Sequence, residues 1–327
     1  MLQQTRVNAV IDHYNRFLQR FPTLMSLALA PESDVLALWS GLGYYRRARM
    51  LHRASQLLVQ EYGGVLPGTA LELRRLPGIG AYTSAAIASI AFGEQIAVLD
   101  GNVERVLLRV LGRAQTPGAK AAEELTEVAQ SLVPERNPGD HNQAMMELGA
   151  TVCLPRAPLC ETCPVYEFCL TRGEHTTVPR ASMRSERVSF ALCTRKVTGS
   201  IGVEVLLQRR PVNASLMAGM LELPQLAQPS EGELVLTEQP MLRVRHAIVG
   251  TNYYVEVYGV NQKRQVARRV LRDEDYEWIR TTHLGEVPLT GLARKVLQRI
   301  RLMRSPAAEP EPEVPLLIGR AGRITVD

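Results

Sequence analysis

The sequence predicts a multidomain α and α+β protein: an all-α half over residues 1–172, then a smaller domain rich in β-structure over 188–303. Three observations predict it. Apolar residues recur at three-to-four spacing throughout the first half, strand-length β-rich runs begin only after residue 188, and four of the five cysteines fall between 153 and 169.

The 327 residues, 46% apolar and 22% charged, suffice for two cores and exclude a mainly disordered chain. A net charge of +5 permits nucleic acid without requiring it. Residues 1–180 hold 17 basic and 17 acidic side chains, so the excess, 21 against 16, lies in the C-terminal part. No apolar run approaches a membrane span, and the opening MLQQTRVNAVIDHYNRFL is amphipathic and unlike a signal peptide. Membrane and secreted readings are set aside, and a cytoplasmic one is kept.

Along the chain, VNAVIDHYNRFLQRF, SDVLALWSGL, RARMLHRASQLLVQEYG and YTSAAIASIAFG read as helices, with Ser33-Asp34 as a cap. Gly63-Gly64, Pro67-Gly68 and Pro117-Gly118 mark turns. Residues 173–187 are polar and aperiodic, as a linker would be. VSFALCTRKV, VEVLLQRR and NYYVEVYGV follow as strands, and LTGLARKVLQRIRL as a helix. Residues 304–327, rich in Pro and Glu, read as a disordered tail.

Three constellations carry chemistry. In Leu76-Pro77-Gly78-Ile79-Gly80, two glycines just before a helix allow a tight turn and let a phosphate approach backbone amides. Such donors grip DNA without reading bases, although an ordinary helix–turn–helix has the same look. In Leu99-Asp100-Gly101-Asn102-Val103, a carboxylate inside an apolar segment must be a helix cap, a charge facing a site, or both. Cys153, Cys160, Cys163 and Cys169 can hold zinc or a [4Fe–4S] cluster; one close pair with an outlier on each side favours the cluster. Cys193, in an apolar run, reads as a small buried hydrophobe.

These motifs, together with MLQQT, WSGLGYYRRAR, VLDGNVERVL and NQAMMELGA, resemble the helix-hairpin-helix DNA glycosylases with an iron–sulfur cluster, and among them the adenine glycosylases. The likeness covers nearly all of 1–170. It implies a helix-hairpin-helix glycosylase fold, with a six-helix barrel over 1–94 and an iron–sulfur cluster domain over 95–172, and a [4Fe–4S] cofactor. It further implies a monomer that acts on duplex DNA with adenine opposite 8-oxoguanine or guanine. The adenine is extruded and its N-glycosidic bond hydrolysed. Asp100 then stabilises the developing oxocarbenium ion, Asn102 orients it or the water, and Tyr82 adjoins the bond. Lyase members of the superfamily carry a lysine where Tyr82 stands, so the chemistry is expected to be monofunctional. Gln143 is assigned to the extruded base or to an ordinary polar helix face. Gln4 and Tyr44 are assigned to the wedge that fills the gap, and Leu76, Gly78, Gly80, Arg46 and Arg47 to the DNA backbone.

The stretch VEVLLQRRPVNASLMAGMLELPQ resembles the Nudix-like α/β domain that the family carries, without the glutamate-rich box of a magnesium pyrophosphatase. The family's lesion-reading Phe-Ser-His loop is replaced here by Arg245-His246-Ala247-Ile248-Val249-Gly250, which leaves His246, Thr251 and Asn252 as candidate readers. The resemblance also places the general acid, a glutamate, two residues before the MLQQT block, and so implies a longer chain by about 30–40 residues. Asp12 is too far along the helix to replace it, roughly 16 Å at the α-helical rise. Two alternatives stay open: another monofunctional mismatch glycosylase, and a non-catalytic scaffold that binds damaged DNA.

Overall fold

The computed structural model describes residues 1–303 except 2, 4, 6, 117, 178–181, 198–201, 227–238, 249 and 261–274. The expected tail 304–327 and Gln4 lie outside the described residues.

The first half is helical throughout. Helices α1 (Val7–Arg20), α2 (Leu24–Ala28) and α3 (Glu32–Trp39) enclose a core of Val10, Phe17, Phe21, Val35, Leu36 and Trp39. Thr23 and Ser26 cap α2 reciprocally. The cap expected at Ser33-Asp34 falls one turn early instead. Pro31 is the N-cap of α3, where its fixed φ suits the entry and Glu32 and Asp34 face the positive helix end. Helices α4 (Arg46–Glu61) and α5 (Ala70–Leu73) lead into the Gly78-Ile79-Gly80 turn and α6 (Ala81–Phe92). Gly93, at φ +73°, ends α6 in the left-handed conformation. Helices α7 (Gly101–Val110), α8 (Ala119–Ser131) and α9 (Pro138–Thr151) follow, and α9 packs on both α6 and α7. The long helix faces of 1–94 and 95–172 are thereby stitched into one body at the place where the site forms.

Among the described residues the second half forms two four-stranded sheets. One has the order β5 (Gln225–Leu226), β1 (Arg184–Leu192), β7 (Thr251–Gly259), β6 (Leu242–Ile248); β1 and β7 run parallel over nine paired residues. The other joins β2 (Thr194–Lys196), β3 (Val203–Arg209) and β4 (Leu221–Glu222), with β8 (Tyr276–Arg280) on β3. A core of Val205, Leu207, Leu221, Val255, Val257 and Leu289 fills the space between them, closed by α10 (Gly291–Arg299) through Leu292, Val296 and Leu297. The domain thus begins at Arg184, inside the expected linker. Residues 184–187 look polar because that end of β1 is exposed on both faces, and its partner β7 lies some 65 residues away in sequence. Cys193 is half-buried, and burial pushes its thiol up to about 11. Among the described residues no helix is long and apolar enough to cross a membrane.

Candidate functional site

The site grows from α7. Asp100 is its N-cap, and Oδ1 accepts from the Asn102 and Val103 amides, both at 2.8 Å. Oδ2 accepts from Asn102 Nδ2 at 3.2 Å. Cap and functional readings therefore coincide: the three donors that stop the helix also fix the carboxylate in space. Tyr82, in the first turn of α6, is 38% exposed and donates to Met146 Sδ on α9 at 3.5 Å. Burial raises its pKa, and the nearby Asp100 charge raises it further. Gln143 is exposed one turn before Met146, on the same face of α9. The structure therefore brings Asp100, Asn102 and Tyr82 together where α6, α7 and α9 converge, with Gln143 on the α9 face that carries Met146.

Two arginines that sequence reasoning missed fasten this site to the cysteine loop. Arg105 donates to Asn102 Oδ1 (3.0 Å), to the Cys153 carbonyl (2.8 Å) and to the Gly149 carbonyl. Arg109, only 2% exposed, donates to Cys153 Sγ (3.3 Å), Leu154 O (2.7 Å), Pro155 O (3.1 Å) and His175 Nδ1 (3.1 Å). Their signal was present in NVERVLLRVL, where residues 102, 105 and 109 share one face of an amphipathic helix. A Cβ at Gly149 would lie 2.7 Å from Asn102 Cβ, so only glycine permits α9 to approach α7 this closely.

Cys153, Cys160, Cys163 and Cys169 ring a recess of about 380 Å³ with Val106, Arg109 and Tyr166. None of the four is in a disulfide. Burial raises the pKa of Cys160, and so do the facing Cys169, Cys153 and Cys163. Four soft sulfur donors gathered on one recess, with a guanidinium on one of them, fit an iron–sulfur cluster.

The remaining sequence-derived residues divide. Gly78 has φ +78°, and a Cβ there would meet Met50 Cβ at 2.4 Å; Gly80 opens α6 with free space around its Cα. Tyr44 is 53% exposed and Arg46 is exposed beside it. Leu76, by contrast, is buried beneath the turn, so its side chain supports the hairpin and does not reach a backbone phosphate. Arg47 is spent within the fold. It donates to Met1 O (3.0 Å), Thr5 Oγ1 (3.0 Å) and Gln3 O, and it stacks on Tyr44 and Trp39. Asn252 is buried, accepting from Arg245 through Oδ1 at 3.1 Å and 3.3 Å. His246 faces Gly291 and Lys295 of α10, and burial and Lys295 lower its pKa. Asn252 is thus held inside the domain, His246 packs half-buried against α10, and Thr251 stands beside the Gly250 turn.

Residues 1–131 match the model of the HhH-GPD superfamily base excision DNA repair proteins, and residues 153–169 match the iron-sulfur binding domain of endonuclease III. The chain is 40% identical over 279 residues to an adenine DNA glycosylase of Homo sapiens, covering 71% of this chain and 51% of that protein. It is 41% identical over 277 residues to that of Mus musculus, covering 71% and 54%. For the adenine DNA glycosylase of Buchnera aphidicola subsp. Acyrthosiphon pisum the identity is 38% over 175 residues, covering 53% and 50%. The chain spans about half the length of the curated relatives it matches.

Proposed function

We propose that this chain, whose residues 1–131 match the HhH-GPD superfamily model and whose residues 153–169 match the iron-sulfur binding domain of endonuclease III, is an adenine DNA glycosylase. Its substrate is duplex DNA with adenine opposite 8-oxoguanine or guanine. The observation that carries this reading is the carboxylate of Asp100, fixed by three N–H donors at the start of α7 with its charge felt at Tyr82.

An adenine within a duplex is out of reach until it is flipped from the stack. Breaking its glycosidic bond leaves positive charge on the sugar, and a fixed anion stabilises that charge without reorganising. Asp100 supplies the anion. Asn102, tied to Asp100 on one side and Arg105 on the other, holds its orientation. A phenol at position 82 forms no Schiff base, so water takes the sugar carbon and the product is an intact abasic site. The departing base needs a proton. Asp100, the carboxylate whose charge reaches Tyr82, is already engaged as the anion, so the proton must come from a second donor, and a binding-only scaffold stands as the second reading. The four cysteines, Cys153, Cys160, Cys163 and Cys169, would hold a [4Fe–4S] cluster. Four thiolate bonds to such a cluster would tie down the loop whose carbonyls and Cys153 Sγ accept from Arg105 and Arg109. His246, Thr251 and the Gly250 turn are the candidates to face the opposite base.

The test uses labelled A:8-oxoguanine duplex and anaerobically purified protein, with alkali to reveal abasic sites. Preferential binding with slow, alkali-dependent strand breakage supports the reading. Breakage without alkali, with borohydride trapping of protein on DNA, contradicts it.

A further inference from the structure

The turn that carries Tyr44 is under backbone strain. Gly41, Gly43 and Tyr44 all have positive φ, at +110°, +71° and +48°. For a tyrosine this left-handed conformation is unfavourable and persists only where surroundings enforce it. On the helical side the enforcement is visible: Trp39 Nε1 and Arg47 Nη2 both donate to the Gly43 carbonyl, at 3.2 Å and 3.4 Å.

The other side of the turn is held by the C-terminal domain. The Gly41 amide donates to the Tyr45 hydroxyl at 3.4 Å, and that hydroxyl donates to the Leu289 carbonyl at 3.2 Å. Ser40 Oγ donates to the same carbonyl at 2.8 Å, and Arg294 Nε of α10 donates to Ser40 Oγ at 3.1 Å. Ser40, Tyr45 and Leu289 are all buried. Met220, fully buried at the start of β4, packs in the core with Trp39, Leu42 and Tyr45, and Arg49 donates to the Ala218 carbonyl. Ser40 and Tyr45, on either side of residues 41–44, are thus both pinned to one carbonyl of the other domain, and the exposed ring of Tyr44 sits between them.

We propose that the C-terminal domain sets the DNA wedge: Tyr45 and Ser40 are positioning residues that hold Tyr44 in its left-handed, outward pose through the Leu289 carbonyl. This rests on the reading of Tyr44 as a wedge into duplex DNA. Whatever the C-terminal domain senses on the opposite strand reaches the helical domain at this turn, because a shift of Leu289 moves the acceptor for both hydroxyls. A well-placed side-chain wedge inserts between base steps at a fixed geometry, so loss of the brace weakens insertion without removing the ring.

The experiment is a double-mutant cycle in the full chain with Tyr45→Phe and Tyr44→Ala, each alone and together. The readouts are affinity for an A:8-oxoguanine duplex and fluorescence of 2-aminopurine placed beside the mispair. Tyr45→Phe keeps the buried ring and should weaken binding about fivefold, the factor that one hydrogen bond carries, with less 2-aminopurine unstacking. In the Tyr44→Ala background it should change neither readout. Additive losses in the double variant would mean that Tyr45 acts independently of Tyr44 and would overturn the proposal. If Tyr44→Ala alters both readouts and Tyr45→Phe neither, the brace alone fails. If Tyr44→Ala itself alters neither, the wedge reading fails and the brace with it. Should Tyr45→Phe fold poorly, Ser40→Ala takes its place in the cycle, with the same outcomes expected and the same outcomes overturning the proposal.

Discussion

Gly149→Ala adds one methyl group at the closest approach of α9 to α7. Built on the present backbone, the new Cβ lies 2.7 Å from Asn102 Cβ, 2.9 Å from Asn102 O and 3.0 Å from Asn102 C, whereas ordinary contact begins at 3.4 Å. Two of these three atoms are backbone, so no rotamer change relieves the clash. The helices must part by about 0.7 Å, the shortfall of the closest contact, and the overpacking costs roughly 1–3 kcal/mol. For a cooperative unit the size of the helical half that corresponds to a fall in its Tm of about 2–4 °C for each kcal/mol. The displaced residue is Asn102, which holds Asp100 Oδ2 and receives Arg105. A carboxylate misplaced by a substantial fraction of an ångström loses on the order of 10- to 100-fold in rate, while phosphate contacts stay intact. Thermal unfolding and single-turnover excision from A:8-oxoguanine duplex measure the two effects, with duplex affinity as control. Unchanged Tm together with an unchanged excision rate would refute the idea that Gly149 seats the site.

Asp100→Asn should leave Tm within about 1 °C, because asparagine caps helices as well as aspartate, while excision is lost and duplex binding survives; a matching loss of stability would reduce Asp100 to a cap. Arg109→Gln leaves the Leu154 and Pro155 carbonyls without their donor and should cost about 3–5 kcal/mol in urea unfolding. Wild-type stability and iron content in that variant would contradict the role drawn for it. The purified protein should be brown, with broad absorption near 400 nm that disappears with Cys169→Ser; a colourless protein holding one zinc ion would overturn the cluster assignment. Cys193 favours its neutral form when folded, since its pKa is raised to about 11 from an ordinary value near 9. Its contribution is complete below pH 9 and lost as pH rises toward 11. The chain should therefore lose stability more steeply across that window than Cys193→Ala; parallel pH profiles would show that the thiol contributes nothing.

The helical half was legible because its signals are local. Three-to-four periodicity gave its helices, Gly78-Ile79-Gly80 gave the turn before α6, and the cysteine spacing gave the recess. Asp100 was legible for the same reason, since a carboxylate at an apolar helix start has few other uses. What escaped were long-range commitments. Nothing near Arg184 announces a strand, because its partner is Thr251 across a parallel pairing. Arg47 looks like a phosphate ligand beside Tyr44 until its donors are seen to close on Met1, Gln3 and Thr5. Asn252 and His246 occupy the expected stretch, but Arg245 holds the one and α10 packs against the other. The same holds for Ser40 and Tyr45, whose acceptor lies 249 and 244 residues away.

The most direct measurement is the identity of the released product. Duplex with adenine opposite 8-oxoguanine is incubated with the chain under single-turnover conditions, and the small-molecule fraction is analysed by mass spectrometry. Free adenine is expected at one equivalent per abasic site, with none from an A:T duplex and none with Asp100→Asn. Tight binding of the mispaired duplex with no adenine released after prolonged incubation would contradict the glycosylase assignment and leave a DNA-binding scaffold in its place.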